Sequence, residues 1–171
     1  LTINFDIIFS SDIFNKKNNL LANDSSFETS RRFIIIDENI CESYLKVIKE
    51  YFISYNLVPH FLILNCQEED KDTDTLFKIL TELENFGMLR RAEPVIAIGG
   101  GVLSDVVGMA ASIYRRGIPY IKIPTTLIGL IDASVGAKTG INYLTRRNRL
   151  GSYYPPIKPI LEKGFLKTLE K

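Results

Sequence analysis

The chain has no tryptophan, one histidine and two cysteines in 171 residues, and these scarcities remove several classes of function. His60, Cys41 and Cys66 cannot by themselves assemble a transition-metal site of the usual kind, which takes three or four closely spaced imidazole, thiolate or carboxylate ligands. The cysteines follow neither a metal-binding nor a redox spacing, so they read as reduced, partly buried thiols in a reducing, cytoplasmic compartment. His60 follows a proline and precedes an apolar run, which makes it a strand-edge residue rather than a ligand. An excess of one charge is also missing. With 21 basic against 20 acidic residues, there is no electrostatic reason to expect nucleic acid or a membrane surface as partner. No apolar run approaches the roughly 18 residues of a membrane span, and the N-terminus does not read as a signal peptide. Leu1 and the charged, helix-like tail at Lys171 both read as cut ends.

What the chain does have is glycine in one telling place. In Val95-Ile-Ala-Ile-Gly-Gly-Gly-Val-Leu-Ser-Asp105 an aliphatic run stops at three glycines and a helical pattern follows. The run predicts a buried parallel strand. Gly99, Gly100 and Gly101 would let backbone N–H groups approach a pyrophosphate, with the positive end of the next helix aimed at it. The spacing is not the G-x-G-x-x-G of a Rossmann fingerprint, and a tight structural turn is the plainer alternative.

An α/β rhythm surrounds this run. Residues 2–9 alternate, with Ile3, Phe5, Ile7 and Phe9 on one face, as in a half-buried strand. Residues 10–30 form a polar loop with a short strand near Ile13-Phe14. Strands then follow at Phe33 to Ile36, Phe61 to Leu64, Val95 to Ile98 and Tyr120 to Ile123. Between them lie helical stripes through Leu45, Ile48 and Phe52, through Leu76, Leu80 and Leu83 with a stop at Gly87, and after the glycines. Such alternation predicts right-handed crossovers and a Rossmann-like, mostly parallel sheet flanked by helices. Ligands bind outside the carboxyl ends of such strands. The groups there are Asp37 to Asn39, Glu68 to Lys71, Gly99 to Asp105 and Thr125 to Leu127.

Beyond Leu127 an acid and a lysine sit six apart, Asp132 and Lys138, among small and apolar residues. They form either a structural ion pair or a face toward a polar substrate. Arg115 and Arg116 end the glycine-loop helix. Arginines there often only complement the helix dipole, but Arg116, next to Gly117, is better placed to clamp a phosphate. Arg146, Arg147 and Arg149 make a further cluster, whose usual meaning is surface charge.

At these residues the sequence resembles the dehydroquinate synthase superfamily of sugar phosphate cyclases. The matching blocks are Gly99-Gly-Gly-Val-Leu-Ser-Asp105, Tyr114-Arg-Arg-Gly117, Pro124-Thr-Thr-Leu127, Asp132-Ala-Ser-Val-Gly-Ala-Lys-Thr-Gly140 and Asn148-Arg-Leu-Gly151. Residues 1–94 match in outline, through Asp37-x-Asn39 and Glu68-x-x-Lys71. Ala133, Ala137, Arg147 and Arg149-Leu150, then Tyr153 to Pro156, depart from the dehydroquinate synthase pattern and look like sedoheptulose 7-phosphate cyclases of the 2-epi-5-epi-valiolone synthase type. Dehydroquinate synthase itself is the alternative. Glycerol and iron-dependent alcohol dehydrogenases share the glycine triplet and Pro-Thr-Thr but not the residues after it.

The resemblance implies an NAD-dependent, phosphate-eliminating cyclase acting on a sugar phosphate, and a homodimer. It carries Gly99, Gly100, Gly101, Asp105, Thr125, Thr126 and Leu127 to the cofactor, with Asp37, Asn39, Glu68 and Lys71 around its adenosine half. Arg147, in place of a lysine, with Phe165, Thr168 and Leu169, would complete the cofactor pocket. Asp132, Lys138 and Asn148 would contact substrate, and Arg116 would reach the phosphate of a neighbouring subunit's ligand. The family's zinc or cobalt is held by one Glu and two His in a helical second domain. No metal ligand is therefore expected within residues 1–171, which are expected to form an NAD-binding α/β domain with no turnover of its own.

Overall fold

The computed structural model describes residues 6–133 and 136–168, with only the backbone at 133, 167 and 168. Six strands form one sheet in the order β1-β8-β5-β4-β2-β3, and a separate antiparallel hairpin pairs β6 with β7. The strands are β1 (Ile8–Ser10), β2 (Arg31–Asp37), β3 (Val58–Leu64), β4 (Val95–Gly99), β5 (Tyr120–Pro124), β6 (Lys138–Tyr143), β7 (Arg146–Tyr153) and β8 (Lys158–Glu162). The helices are α1 (Glu38–Ser54), α2 (Thr73–Phe86) and α3 (Gly101–Ile113). All pairings in the large sheet are parallel.

Alternation along the strands divides the core in two. Ile34, Ile36, Ile96, Ile98, Ile121 and Ile123 face Ile48, Tyr51 and Phe52 of α1. Phe33, Ile35, Val95 and Ala97 face the stripes of α2 and α3 on the other side. Both outer helices start on an aspartate: the side chain of Asp37 accepts from Asn39 N, and that of Asp72 accepts from Thr75 N at 2.9 Å. Gly87 closes α2 in the left-handed region, φ 66°, where only glycine sits without strain. His60 lies exposed on edge strand β3 and stacks on Phe33 at 5.1 Å.

Four sequence expectations need amending. Within the described residues the first strand is Ile8–Ser10 only; the positions of Ile3 and Phe5 lie outside them. Ile13 and Phe14 form no strand but turn inward as buried anchors, with Ile13 N donating to Glu162 Oε2 at 2.8 Å. The segment after β5 is not merely a ligand-facing loop, because it supplies the β6–β7 hairpin and a sixth sheet strand, β8. The helix-like tail is a stretch of 3-10 helix, Lys163–Thr168.

The hairpin explains why α3 is apolar nearly all round. Such a helix must be covered on two sides, and here the sheet covers one side and β6 the other, with Ile141 in the same apolar cluster as Val106, Val107 and Ala110. Beneath the hairpin, fully buried Lys122 of β5 donates to Gly136 O at 3.4 Å. Burial holds this ammonium below its ordinary value of 10.5, partly offset by the charge of Asp105. Between the folded value and 10.5 the unfolded chain binds more protons than the folded one, so this group's contribution to stability rises with pH. Lys122→Met removes it. The Tm of Lys122→Met relative to the parent is expected to fall as the pH is raised toward 10.5, as read by calorimetry at matched ionic strength.

Candidate functional site

The strand order reverses between β2 and β4, since β3 lies on one side of β2 and every later sheet strand on the other. That switch point opens a crevice at the carboxyl edge, and its two lips are Asp37 and Gly99. They touch so closely that a Cβ on Gly99 would sit 3.1 Å from the Asp37 Cβ. Asp37 Oδ1 accepts from Asn39 N at 3.0 Å and Asn39 Nδ2 at 2.9 Å. Its Oδ2 takes no hydrogen bond among the described residues and is the oxygen left for a ligand.

Gly100 is the N-cap of α3 and provides no capping side chain, and no acidic residue stands in the first turn. The leading N–H groups of this helix are therefore not satisfied by the helix's own side chains, which is the arrangement that receives an anion. A Cβ on Gly100 would lie 3.3 Å from Thr126 Cγ2 and fill the cradle. Thr125 N donates to Gly99 O at 3.0 Å, and Thr126 Oγ1 accepts from Gly129 N at 3.1 Å. These bonds draw the end of β5 against the cradle. Leu127 is half exposed beside it.

Next to the cradle, a cleft of about 450 Å³ is lined by Asp105, Asp132, Lys138, Thr139, Asn148 and Ser152, among others. Three elements converge here: Asp105 from α3, Asp132 from a short π-helical turn (Gly129–Ala133), and the rest from the hairpin. Asp132 and Lys138 are both exposed, and no ion pair joins them among the described residues. The structural-pair alternative is set aside, and both charges face the cleft.

Lys71 is the surprise. Its side chain is 6% exposed, and its ammonium lies 2.6 Å from Asp105 Oδ2 and donates to Asn148 Oδ1 at 2.7 Å. Asn142, which the sequence did not single out, completes the link: its Nδ2 donates to Glu68 O and Oε1, and its Oδ1 accepts from Asn148 N at 2.9 Å. The one available signal was an asparagine in a strand-like run, where the type is disfavoured.

The remaining candidates are dispersed. Glu68 and Arg147 line an adjacent cleft of about 570 Å³ between Glu68–Thr73 and the hairpin tip; their 3.7 Å contact involves an arginine side chain 77% exposed, so it contributes little. Phe165 is buried against Tyr44 and Phe14 in the α1-side core. The Thr168 side chain and Leu169 lie outside the described residues. Arg116, exposed and at φ 64°, follows the far end of α3, about 20 Å along that helix from the cradle at 1.5 Å per residue. Within one chain it does not join the cleft. Arg115 donates to Met88 O.

Residues 61–171 match the family model described as 3-dehydroquinate synthase N-terminal, and the chain belongs to the dehydroquinate synthase family. It is 40% identical over 172 residues to a 2-epi-5-epi-valiolone synthase from Actinomyces sp, a match covering 99% of this chain and 45% of that protein. The structure of ValA, a 2-epi-5-epi-valiolone synthase from Streptomyces hygroscopicus subsp. jinggangensis 5008 with NAD+ and Zn2+ bound, superposes with a TM-score of 0.89 at 38% identity over 99% of this chain and 46% of that one. A 2-deoxy-scyllo-inosose synthase complexed with carbaglucose-6-phosphate, NAD+ and Co2+ gives 0.83 at 27% identity, over 97% and 44%. The chain spans less than half the length of these relatives.

The hairpin wall of the cleft depends on one close approach. A Cβ on Gly108 of α3 would collide with the Thr139 methyl group and come within 3.0 Å of Tyr120 Oη. Gly108→Val is expected to push the hairpin off α3 and to lower stability by about 1–3 kcal/mol, measured by urea denaturation.

Proposed function

We propose that this chain forms the NAD-binding wall and one side of the substrate cleft of a sugar phosphate cyclase, a phosphate-eliminating lyase that converts sedoheptulose 7-phosphate to a carbocycle of the 2-epi-5-epi-valiolone type. The observation that carries the proposal is the convergence of Asp105, Asp132, Lys138 and Asn148 on one cleft beside the helix α3 that starts at the glycine turn without a capping side chain. Likeness to the 2-epi-5-epi-valiolone synthases supports the substrate class.

The residues present fit NAD. Gly99 and Gly100 bring no side chain of their own to the turn, and the first turn of α3 carries no acid that would repel a pyrophosphate. NAD, when bound, supplies reversible hydride transfer at one substrate hydroxyl carbon, which acidifies the neighbouring C–H before phosphate departs and is undone before ring closure. The chain's own groups bind and orient. Asp132 accepts hydrogen bonds from polyol hydroxyls, Lys138 donates to a substrate oxygen, and Asn148 lies between them and the cofactor-side carboxylate of Asp105. Arg116, remote from its own cleft, serves the site of a second copy in a homodimer. No group of three or more metal-ligating side chains comes together among the described residues, so no step is assigned to a metal here. The helical metal-bearing domain belongs to the proposal, as does the dependence of turnover on it. No helix among the described residues is long and apolar enough to cross a membrane.

Gly100→Val is expected to abolish the heat of NAD binding in titration calorimetry, because its side chain meets Thr126 and blocks backbone approach; equal heats from parent and variant would refute the cradle. In the cyclase that carries this chain, Lys138→Met keeps bulk but deletes a charge-assisted bond, and kcat/KM for sedoheptulose 7-phosphate is expected to fall about tenfold or more. Cyclisation of the dehydroquinate precursor alone would replace the substrate assignment with 3-dehydroquinate synthase.

A further inference from the structure

Lys71, which the resemblance places beside the cofactor, is buried, and its ammonium meets two protein groups, Asp105 and Asn148. An ammonium only donates hydrogen bonds. The Asn148 atom 2.7 Å from it is therefore the amide oxygen, and the polarity of the whole chain of bonds follows. The Asn148 backbone N–H also only donates, so the Asn142 atom that meets it is Oδ1, and Asn142 Nδ2 is the atom that reaches Glu68 O and Oε1. Every amide in the series has one orientation and no alternative.

Asn148 is meanwhile held at φ 52°, a left-handed conformation that asparagine tolerates better than most side chains. Its backbone N–H is clamped by Asn142 and its side-chain amide oxygen, Oδ1, by Lys71. What remains is Nδ2, which has no partner among the described residues and belongs to a residue lining the cleft. The same ammonium holds Asp105 at 2.6 Å, so one buried cation sets a group on the cofactor side and a group on the substrate side together.

We propose that Lys71 is a positioning residue. Through Asn148 it fixes a hydrogen-bond donor, never an acceptor, toward the substrate, so that the ligand atom opposite Asn148 is an oxygen lone pair of the sugar phosphate. This rests on the sugar phosphate assignment made above for the ligand, but the orientation of the amide does not. Lys71 acts on substrate through Asn148.

The test uses the 19.4 kDa chain labelled with 15N, the Asn148 side-chain NH2 signal being identified by its loss in Asn148→Ala. In the parent this signal is expected to lie apart from those of solvent-exposed asparagines and to shift on addition of sedoheptulose 7-phosphate. In Lys71→Met it is expected to move to the solvent-like position. Affinity for the sugar phosphate should then fall about tenfold. The double variant Lys71→Met, Asn148→Ala should bind no worse than Asn148→Ala alone. Asn148→Asp covers the case in which Lys71→Met does not fold: it keeps an oxygen for Lys71 but puts a carboxylate acceptor where the NH2 donor stood, and it should lose sugar phosphate affinity. The proposal is overturned if the Asn148 signal is the same in parent and Lys71→Met, if the two substitutions are additive, or if Asn148→Asp binds sugar phosphate as the parent does. A signal that moves as expected in a chain that binds no sugar phosphate would instead refute the substrate assignment and leave the fixed amide standing.

Discussion

The parallel run of all six sheet strands is the constraint on which everything else rests. It sends every carboxyl end to one edge, and the reversal between β2 and β4 leaves a crevice there that no crossover helix covers. Asp37, Gly99 and Thr125 stand together at that edge because of where their strands stop. Each is also the start of the next connection, so the residues that end a strand, cap a helix and line the crevice are the same few. The cradle exists because α3, unlike α1 and α2, begins without a capping side chain.

Buried charge is distributed by end of the sheet. At the amino edge, ion pairs tie strands to loops: Arg31 with Glu93, whose carboxyl is held below its ordinary value by bonds from Arg31, Leu89 N and Thr29 against its burial, and Lys158 with Asp24. Arg32 beside them is pulled down to about 10 by burial, despite the carboxylates of Asp24 and Glu93. Arg32 donates to the carbonyls of Thr29, Arg31 and Ala22, while its Nε is buried without a hydrogen-bond partner among the described residues; the ion pairs beside it stabilise the fold only modestly relative to apolar replacements. At the carboxyl edge Lys71 and Lys122 are held by α3 and by the hairpin, and their surroundings include groups left open to a ligand. The two thiols, Cys41 and Cys66, are pushed upward by burial and nearby carboxylates, which leaves them chemically quiet.

Most of the sheet was legible because period and punctuation agreed. Aliphatic runs ended at Asp, Gly or Pro-Thr, and the helical stripes between them had caps of the right kind. The glycine cradle and the strand-end groups followed from that. The hairpin was not legible: Lys138–Tyr143 and Arg146–Tyr153 carry lysine, arginine and asparagine on exposed positions and show no clean alternation, since much of β7 is exposed. Strand β8 was hidden by Pro159 in its interior and by a partner, β1, that is itself only three residues long. Among site residues, local pattern and resemblance drew Asp132, Lys138 and Asn148 to one cleft, but nothing local could show that Lys71 spans to Asn148 across 77 positions. Phe165, given to the cofactor pocket by resemblance alone, is buried in the α1-side core, and a single apolar residue carries no mark in the sequence of which surface it meets.

The pairing of Ile8 with Ile160 sets an order on how the chain becomes a sheet. Contacts between strands β2, β3, β4 and β5 close loops of a few tens of residues, whereas β1 must wait for a partner roughly 150 positions downstream, and the entropy of closing so long a loop makes such pairing late. Until β8 docks, β5 is an edge strand and the loop that Ile13 anchors lacks its bond to Glu162, held only by contacts such as Ala22 N to Tyr51 Oη. A ribosome-bound chain would therefore complete the crevice between β2 and β4 well before it seals its own outer edge, and would have a formed ligand-binding lip on a sheet that is still open on one side.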